Sequence, residues 1–199
     1  MIRGILFDMD GVLIDSFQQW FLVFNEVCRK IGRECISEME FREKVWARDF
    51  RKVKQEYFLS GKFTDAHFLN ANEALIKSLK RDPALEKTLA GLKSKYALAV
   101  ATNTRTETAE RMLLACGIRQ YFSQVLGGDL VKNAKPAPDL LLRGLQKLGL
   151  GAKDALYVGD TVYDREAAQN AGLRFVGCGI DGDARIEHLS ELANVCVRF

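Results

Sequence analysis

Residues 5–16 read Ile-Leu-Phe-Asp-Met-Asp-Gly-Val-Leu-Ile-Asp-Ser. The apolar run Ile5-Leu6-Phe7 closes a strand expected over Ile2–Phe7, and it stops on Asp8. A second aspartate, Asp10, follows one residue after Met9, and then Gly11. In extended chain, residues i and i+2 point to the same side, so the spacing predicts two carboxylates aimed at one place. Gly11 permits a sharp turn there, because glycine adopts left-handed backbone angles freely. Alone, Asp8 would read equally well as a turn or helix-capping residue, so its meaning depends on the rest of the chain.

From Ser16 to about Arg81 the periodicity is helical. Phe17, Trp20, Phe21, Phe24, Val27 and Cys28 recur on one face and read as packed core rather than as an aromatic substrate patch. Further helices are expected over Ser37–Val45, from Asp49 through Phe58, and from Thr64 to about Lys80. Beyond Pro83 strands and helices alternate. Helices are expected over Ala84–Lys95, Thr106–Cys116, Pro138–Leu148 and Asp164–Ala171, the last three stopped by Gly117, Gly149 and Gly172. Strands are expected at Tyr96–Ala101, Val125-Leu126, Ala155–Val158, Phe175-Val176 and Asn194–Arg198. Such alternation predicts an α/β fold with a doubly wound, Rossmann-like parallel sheet. Residues 1–15 and 82–199 would form this core domain, and 16–81 a helical cap inserted after the first strand.

The composition excludes several classes. The 199 residues carry 29 basic and 26 acidic side chains, and the resulting charge of +3 is too diffuse for a nucleic-acid interface. No apolar run approaches the roughly 18 residues of a membrane span, and no signal-peptide pattern precedes the first strand. Five scattered cysteines, Cys28, Cys35, Cys116, Cys178 and Cys196, form no CxxC pair. They read as buried free thiols in a reducing, cytoplasmic setting. With only His67 and His188 available, a histidine-rich metal site is excluded. The expected partner is a small molecule, and the expected state a monomer or homodimer.

In open α/β sheets, ligands bind at the carboxyl ends of the strands. Asp8 and Asp10 follow the first strand, Thr102 and Asn103 follow Tyr96–Ala101, and Asp160 and Asp164 follow Ala155–Val158. Lys135 stands just before the Pro138 helix. Four segments thus deliver polar groups to one sheet edge. Four close carboxylates cannot all stay ionised without cations. Lys135 supplies one charge, and a hard divalent ion such as Mg²⁺ supplies two on carboxylate and carbonyl oxygens. A phosphate would bridge metal and lysine, with the Thr102 hydroxyl and Asn103 on its remaining oxygens. One carboxylate could then attack phosphorus while its neighbour handles the proton.

These residues resemble the haloacid dehalogenase-like hydrolase superfamily, in particular its helical-cap, phosphoglycolate phosphatase-like members. DMDGVLIDS resembles the superfamily's first motif, Thr102-Asn103 its second, Lys135 with Pro136 and Pro138 around it its third, and Gly159–Gly172 (GDTVYDREAAQNAG) its fourth. The resemblance implies Asp8 as nucleophile, forming an aspartyl-phosphate, and Asp10 as the acid and base that serves the leaving alcohol and then water. It implies Mg²⁺ held by Asp8, the Asp10 carbonyl and Asp160, with Asp164 holding a metal-bound water or Lys135. Thr102, Lys135, Asn103 and Gly11 would surround the phosphate, with Arg105 nearby. The cap would close over the site and select the substrate.

The function implied is an Mg²⁺-dependent phosphatase acting on a small phosphorylated metabolite, phosphoglycolate-like or a sugar phosphate. A phosphosugar mutase of the β-phosphoglucomutase type shares these motifs but would carry a histidine early in the cap, where this chain has Trp20. A phosphonate hydrolase would need a cap lysine, for which Lys52 and Lys54 are candidates. A receiver-type signalling domain would lack the cap. Trp46, Arg48, Arg51 and Lys54 are the cap's candidate substrate contacts.

Overall fold

The computed structural model describes residues 1–58 and 65–199. Strands β1 (Gly4–Phe7), β2 (Ala97–Thr102), β3 (Gln124–Gly127), β4 (Ala155–Gly159), β5 (Arg174–Cys178) and β6 (Ala184–Ile186) form one parallel sheet ordered β3-β2-β1-β4-β5-β6. The central strands are short and apolar because both faces are covered: Ile5, Leu6 and Phe7 have no exposure, and neither do Leu156, Tyr157 and Val158. Strand order reverses between β1 and β4. That is the position where a doubly wound sheet opens a crevice at its carboxyl edge.

Helices α1 (Phe17–Lys30), α2 (Glu38–Lys44), α3 (Phe50–Tyr57) and α4 (Asp65–Ser78) lie between β1 and β2, followed by α5 (Pro83–Lys93). The expected start of the fourth helix, Thr64, falls outside the described residues. Local chemistry sets the other starts. The Ser37 side chain accepts from the Glu40 N–H, that of Asp49 from Arg51, and that of Asp82 from Ala84, with Pro83 in the first turn. Then come α6 (Thr106–Ala115), α7 (Asp139–Leu148) and α8 (Val162–Ala171), the last two ended by Gly149 and Gly172 in left-handed conformation.

Two buried clusters hold the fold. One joins α7, α8 and their sheet face through Leu6, Leu140, Leu141, Tyr157 and Phe175. The other covers the opposite face and runs without interruption into the helical insert, from Ile5 and Phe7 through Val27 to Phe41 and Val53. The insert's own centre is aromatic. Phe41, 2% exposed, meets Phe17, Phe21 and Phe24 edge-on, each at a ring separation of 5.6 Å.

Three expectations need correction. The segment expected as a last strand, Asn194–Arg198, is instead the end of a helix, α9 (Leu192–Cys196). Val195 and Cys196 are both buried although adjacent, which a strand with one covered face does not allow. The sixth strand is Ala184–Ile186, a short edge piece with only Ile186 buried, too brief for alternation to reveal. Of the five thiols, all unbridged, Cys35 is exposed rather than buried and Cys178 is half-buried.

Candidate active site

The register of the sheet builds the site. Phe7 is level with Val158 on one side and Val100 on the other, so the residues that follow β1, β2 and β4 emerge side by side. The Asp8 N–H donates to the Val158 carbonyl at 2.8 Å, which carries the β1–β4 pairing one residue past the strand. Gly11 then turns the chain at φ 85°. A Cβ at this position would lie 2.1 Å from Asp160 Oδ2, so glycine is required both by the turn and by the approach of Asp160.

Lys135 is the hub. Its ammonium lies 2.8 Å from Asp8 Oδ1 and 2.6 Å from Asp164 Oδ1, and it donates to the Tyr157 hydroxyl oxygen at 2.8 Å. All of these groups are almost completely buried. Asp164 spends both oxygens on protein donors. Oδ1 takes Lys135 and the Tyr157 hydroxyl (2.7 Å), and Oδ2 takes the Thr161 N–H (3.1 Å) and hydroxyl (2.5 Å) in a reciprocal cap at the start of α8.

Asp10 faces the other way, towards the insert. Its Oδ1 accepts from Ser16 Oγ at 2.6 Å and Trp20 Nε1 at 2.8 Å, and its Oδ2 from Thr104 Oγ1 at 2.8 Å, with Thr102 Oγ1 at 3.5 Å. Ser16 precedes α1 yet makes no side-chain cap bond to it. A cap is worth about 1 kcal/mol, and here the hydroxyl is committed to orienting Asp10 instead.

Carboxyl oxygens of Asp8, Asp160 and Asp164 come within 4.8 Å of one another, while the Asp10 side chain is not part of that cluster. One lysine cannot compensate three carboxylates. Burial, then the charge of Asp164, hold the Asp8 carboxyl well above the usual range against the opposing pull of Lys135. The same two causes lift Asp160 to about 7. Burial alone would lower the Lys135 ammonium, but Asp164 and Asp8 more than reverse this, and Lys135 holds its proton more tightly than an ordinary lysine. Asp160 Oδ1 is buried with no hydrogen-bond partner. An orphaned carboxylate oxygen in a region of surplus negative charge fits a hard cation with oxygen ligands. The residues therefore suit the divalent ion that the sequence leads one to expect.

Above this floor is a cavity of about 100 Å³. Asp8, Asp10, Thr102, Asn103, Thr104 and Lys135 line it from the sheet side. Trp20, Phe24, Phe41, Trp46, Phe50 and Phe58 line it from the insert. The α1 stripe read as core is thus core and cavity wall together. Of the expected insert contacts, Trp46 and Arg48 line the cavity. The Arg48 guanidinium is paired with both oxygens of Glu56, at 2.8 and 2.6 Å. Arg51 instead pairs with Asp49 and donates to the Val131 carbonyl of the sheet domain at 2.9 Å. Lys54 is half-buried on α3. Arg105 is exposed at the cavity's edge.

Asn103 does not offer a free amide to the cavity. It accepts from the Lys135 N–H at 3.0 Å, and it donates to the Lys135 carbonyl at 3.1 Å and the Ala47 carbonyl at 2.9 Å. Sequence reasoning overlooked Tyr157, Thr161, Ser16 and Thr104. Thr161 and Ser16 stand inside the motifs already quoted, Thr104 directly follows one, and Tyr157 is a hydroxyl within an otherwise apolar buried strand.

Comparison with known proteins places the chain in a family. The phosphoglycolate phosphatase of Aquifex aeolicus is 33% identical over 185 residues, covering 87% of this chain and 83% of that protein. That of Escherichia coli K12 is 31% identical over 207 residues, covering 88% and 81%. A solved HAD-superfamily hydrolase of subfamily IA from Geobacter sulfurreducens superposes with a TM-score of 0.81 at 27% identity, over 98% of this chain and all of that one. CbbY from Rhodobacter sphaeroides, solved with xylulose-1,5-bisphosphate, gives 0.82 at 25% identity over 96% of both chains. The haloacid dehalogenase-like hydrolase family matches residues 5–178. With a family model over most of its length and relatives more than 30% identical across it, the chain belongs to the haloacid dehalogenase-like hydrolase family.

Proposed function

We propose that the protein is a divalent-metal-dependent phosphatase of small phosphomonoesters, with Asp8 as nucleophile and residues 16–81 as the cap that selects the substrate. One observation carries the reading: a lysine-braced aspartate, Asp8, faces a cavity beside an aspartate whose buried oxygen, Asp160 Oδ1, has no protein partner. A phosphoryl group seated there meets cationic charge from Lys135 and a hydroxyl from Thr102. An Asp8 oxygen attacks phosphorus, the bond to the leaving oxygen breaks, and Asp10 delivers a proton to that oxygen. Asp10 then takes a proton from water as the water attacks phosphorus, releasing inorganic phosphate and restoring Asp8. Ser16, Trp20 and Thr104 hold Asp10 in place for both transfers.

Mg²⁺, held by Asp8, Asp160 and the Asp10 carbonyl, would neutralise charge on the phosphoryl oxygens. Asp164, whose oxygens are all engaged, serves by fixing Lys135. Gly11 lets Asp160 approach, and Arg105 at the rim suits the remaining substrate charge. The relatives named phosphoglycolate phosphatase support a small acidic phosphomonoester as substrate. Unbridged thiols are in keeping with a reducing, cytoplasmic compartment.

The test is phosphate release from a panel of phosphorylated metabolites with Mg²⁺, with chelator, and with Asp8→Asn. Release that requires both metal and Asp8 is expected. Isomerisation of a hexose phosphate without release would replace this reading with a mutase.

A further inference from the structure

The connection between α2 and α3 carries an anomaly. Ala47 sits at φ 61°, in the left-handed region that residues with a side chain rarely adopt. It lines the cavity between Trp46 and Arg48, and its carbonyl accepts from Asn103 Nδ2. Asn103 is 9% exposed, and its amide grips the backbone of Lys135 at two points, much as a neighbouring strand would. The last amide hydrogen is the one given to Ala47. Among the described residues, other side chains also bridge insert and sheet domain, such as Trp20 to Asp10 and Glu73 to Arg111. Only Asn103 holds, with the same amide, the segment that places the phosphate-site lysine.

We propose that Asn103 is a positioning residue that couples closure of the insert to the placement of Lys135. With the insert closed, the Ala47 carbonyl completes the amide's bonding and the clamp on Lys135 is rigid. With the 45–49 turn withdrawn, that N–H exchanges the Ala47 carbonyl for water, and the clamp loosens. The unfavourable backbone of Ala47 is the opposing term, which keeps closure reversible. The coupling itself needs no substrate; its kinetic consequence rests on the phosphatase reading.

Hydrogen exchange on the full-length, ligand-free protein tests the coupling independently of activity. Ala47→Pro cannot adopt φ 61° and should speed exchange in the peptide spanning 133–137 about tenfold, as Asn103→Ala does, a factor that corresponds to about 1.4 kcal/mol. Ala47→Gly, which favours the closed backbone, should leave that peptide as protected as in the wild type, or more so. Should Ala47→Pro not fold, Ala47→Val makes the same comparison. Unchanged exchange at 133–137 while 45–49 opens would overturn the proposal.

In turnover, Ala47→Gly should lower KM about fivefold in the wild type and have no effect in Asn103→Ala, about 1 kcal/mol of coupling. An equal effect in both backgrounds would mean that no coupling exists. A wild type that releases no phosphate would defeat the phosphatase reading and leave the exchange result to decide the coupling.

Discussion

On the sheet side of the cavity, Asp8, Asp10 and Thr102 come from the ends of β1 and β2 and Lys135 from the loop before α7, and their polar atoms are held by bonds of 2.6 to 3.5 Å. On the insert side, Phe24, Phe41, Trp46, Phe50 and Phe58 come from three helices and the turns between them, and they offer rings. The sheet side is rigid and electrostatically loaded, which suits bond-making. The insert side is apolar, with its cavity-lining Arg48 already paired to Glu56, which suits exclusion of water and recognition by shape. On the proposed reading, chemistry and selection are divided between two surfaces that meet at Asn103 and Trp20. Damage to the first should appear in kcat, and damage to the second in KM.

The strongest break in that division is Asp8→Asn. It removes the proposed nucleophile while keeping its size, and kcat should fall about 10⁴-fold or more with substrate affinity retained. Lys135→Met comes next. It strands Asp8 and Asp164 in a buried site, which should cost about 3–5 kcal/mol of unfolding free energy at pH 7, measured in urea. The deficit should shrink at pH 5 as the Asp8 carboxyl, held above its usual range by burial, takes up a proton. On the insert side, Phe41→Ala empties a position in contact with three other rings. It should cost about 3–5 kcal/mol and raise KM, with kcat at saturation changed less.

A pH scan sharpens the electrostatic half. Asp160 keeps its proton to about 7 in the folded chain, whereas an unfolded chain releases it near 4. Between those values the unfolded state binds fewer protons, so metal-free stability should fall as pH rises through that window. Mg²⁺ should reverse the trend by binding the ionised form, and denaturant midpoints at both ends of the window, with Mg²⁺ and with chelator, check the sign. The smallest effect belongs to Arg48→Met, a few-fold change in KM with kcat kept. A kcat loss there would blur the division.

The same contrast explains what could be read from the chain. Asp8, Asp10, Thr102 and Asp160 each follow an apolar run directly, so knowing the strand is nearly enough to know the site. Tyr157 escaped because it lies within its strand and reaches Lys135 through folding alone. Asn103 was expected at the phosphate, and its use as a brace between Lys135 and Ala47 depends on contacts 32 and 56 residues away. The insert's helices were visible in their periodicity, but periodicity does not say which rings of a buried stripe face a neighbour and which face a cavity. Trp20 illustrates this, being read as core and found donating to Asp10.

The central claim is a covalent phosphoryl group on Asp8. Acid quench of the wild-type enzyme during turnover, followed by peptide mass spectrometry, tests it directly. The account predicts a phosphoryl adduct on the peptide containing Asp8, formed from substrate, chased by time and absent in Asp8→Asn. Turnover with no adduct at any quench time, or with the adduct on another residue, would contradict it.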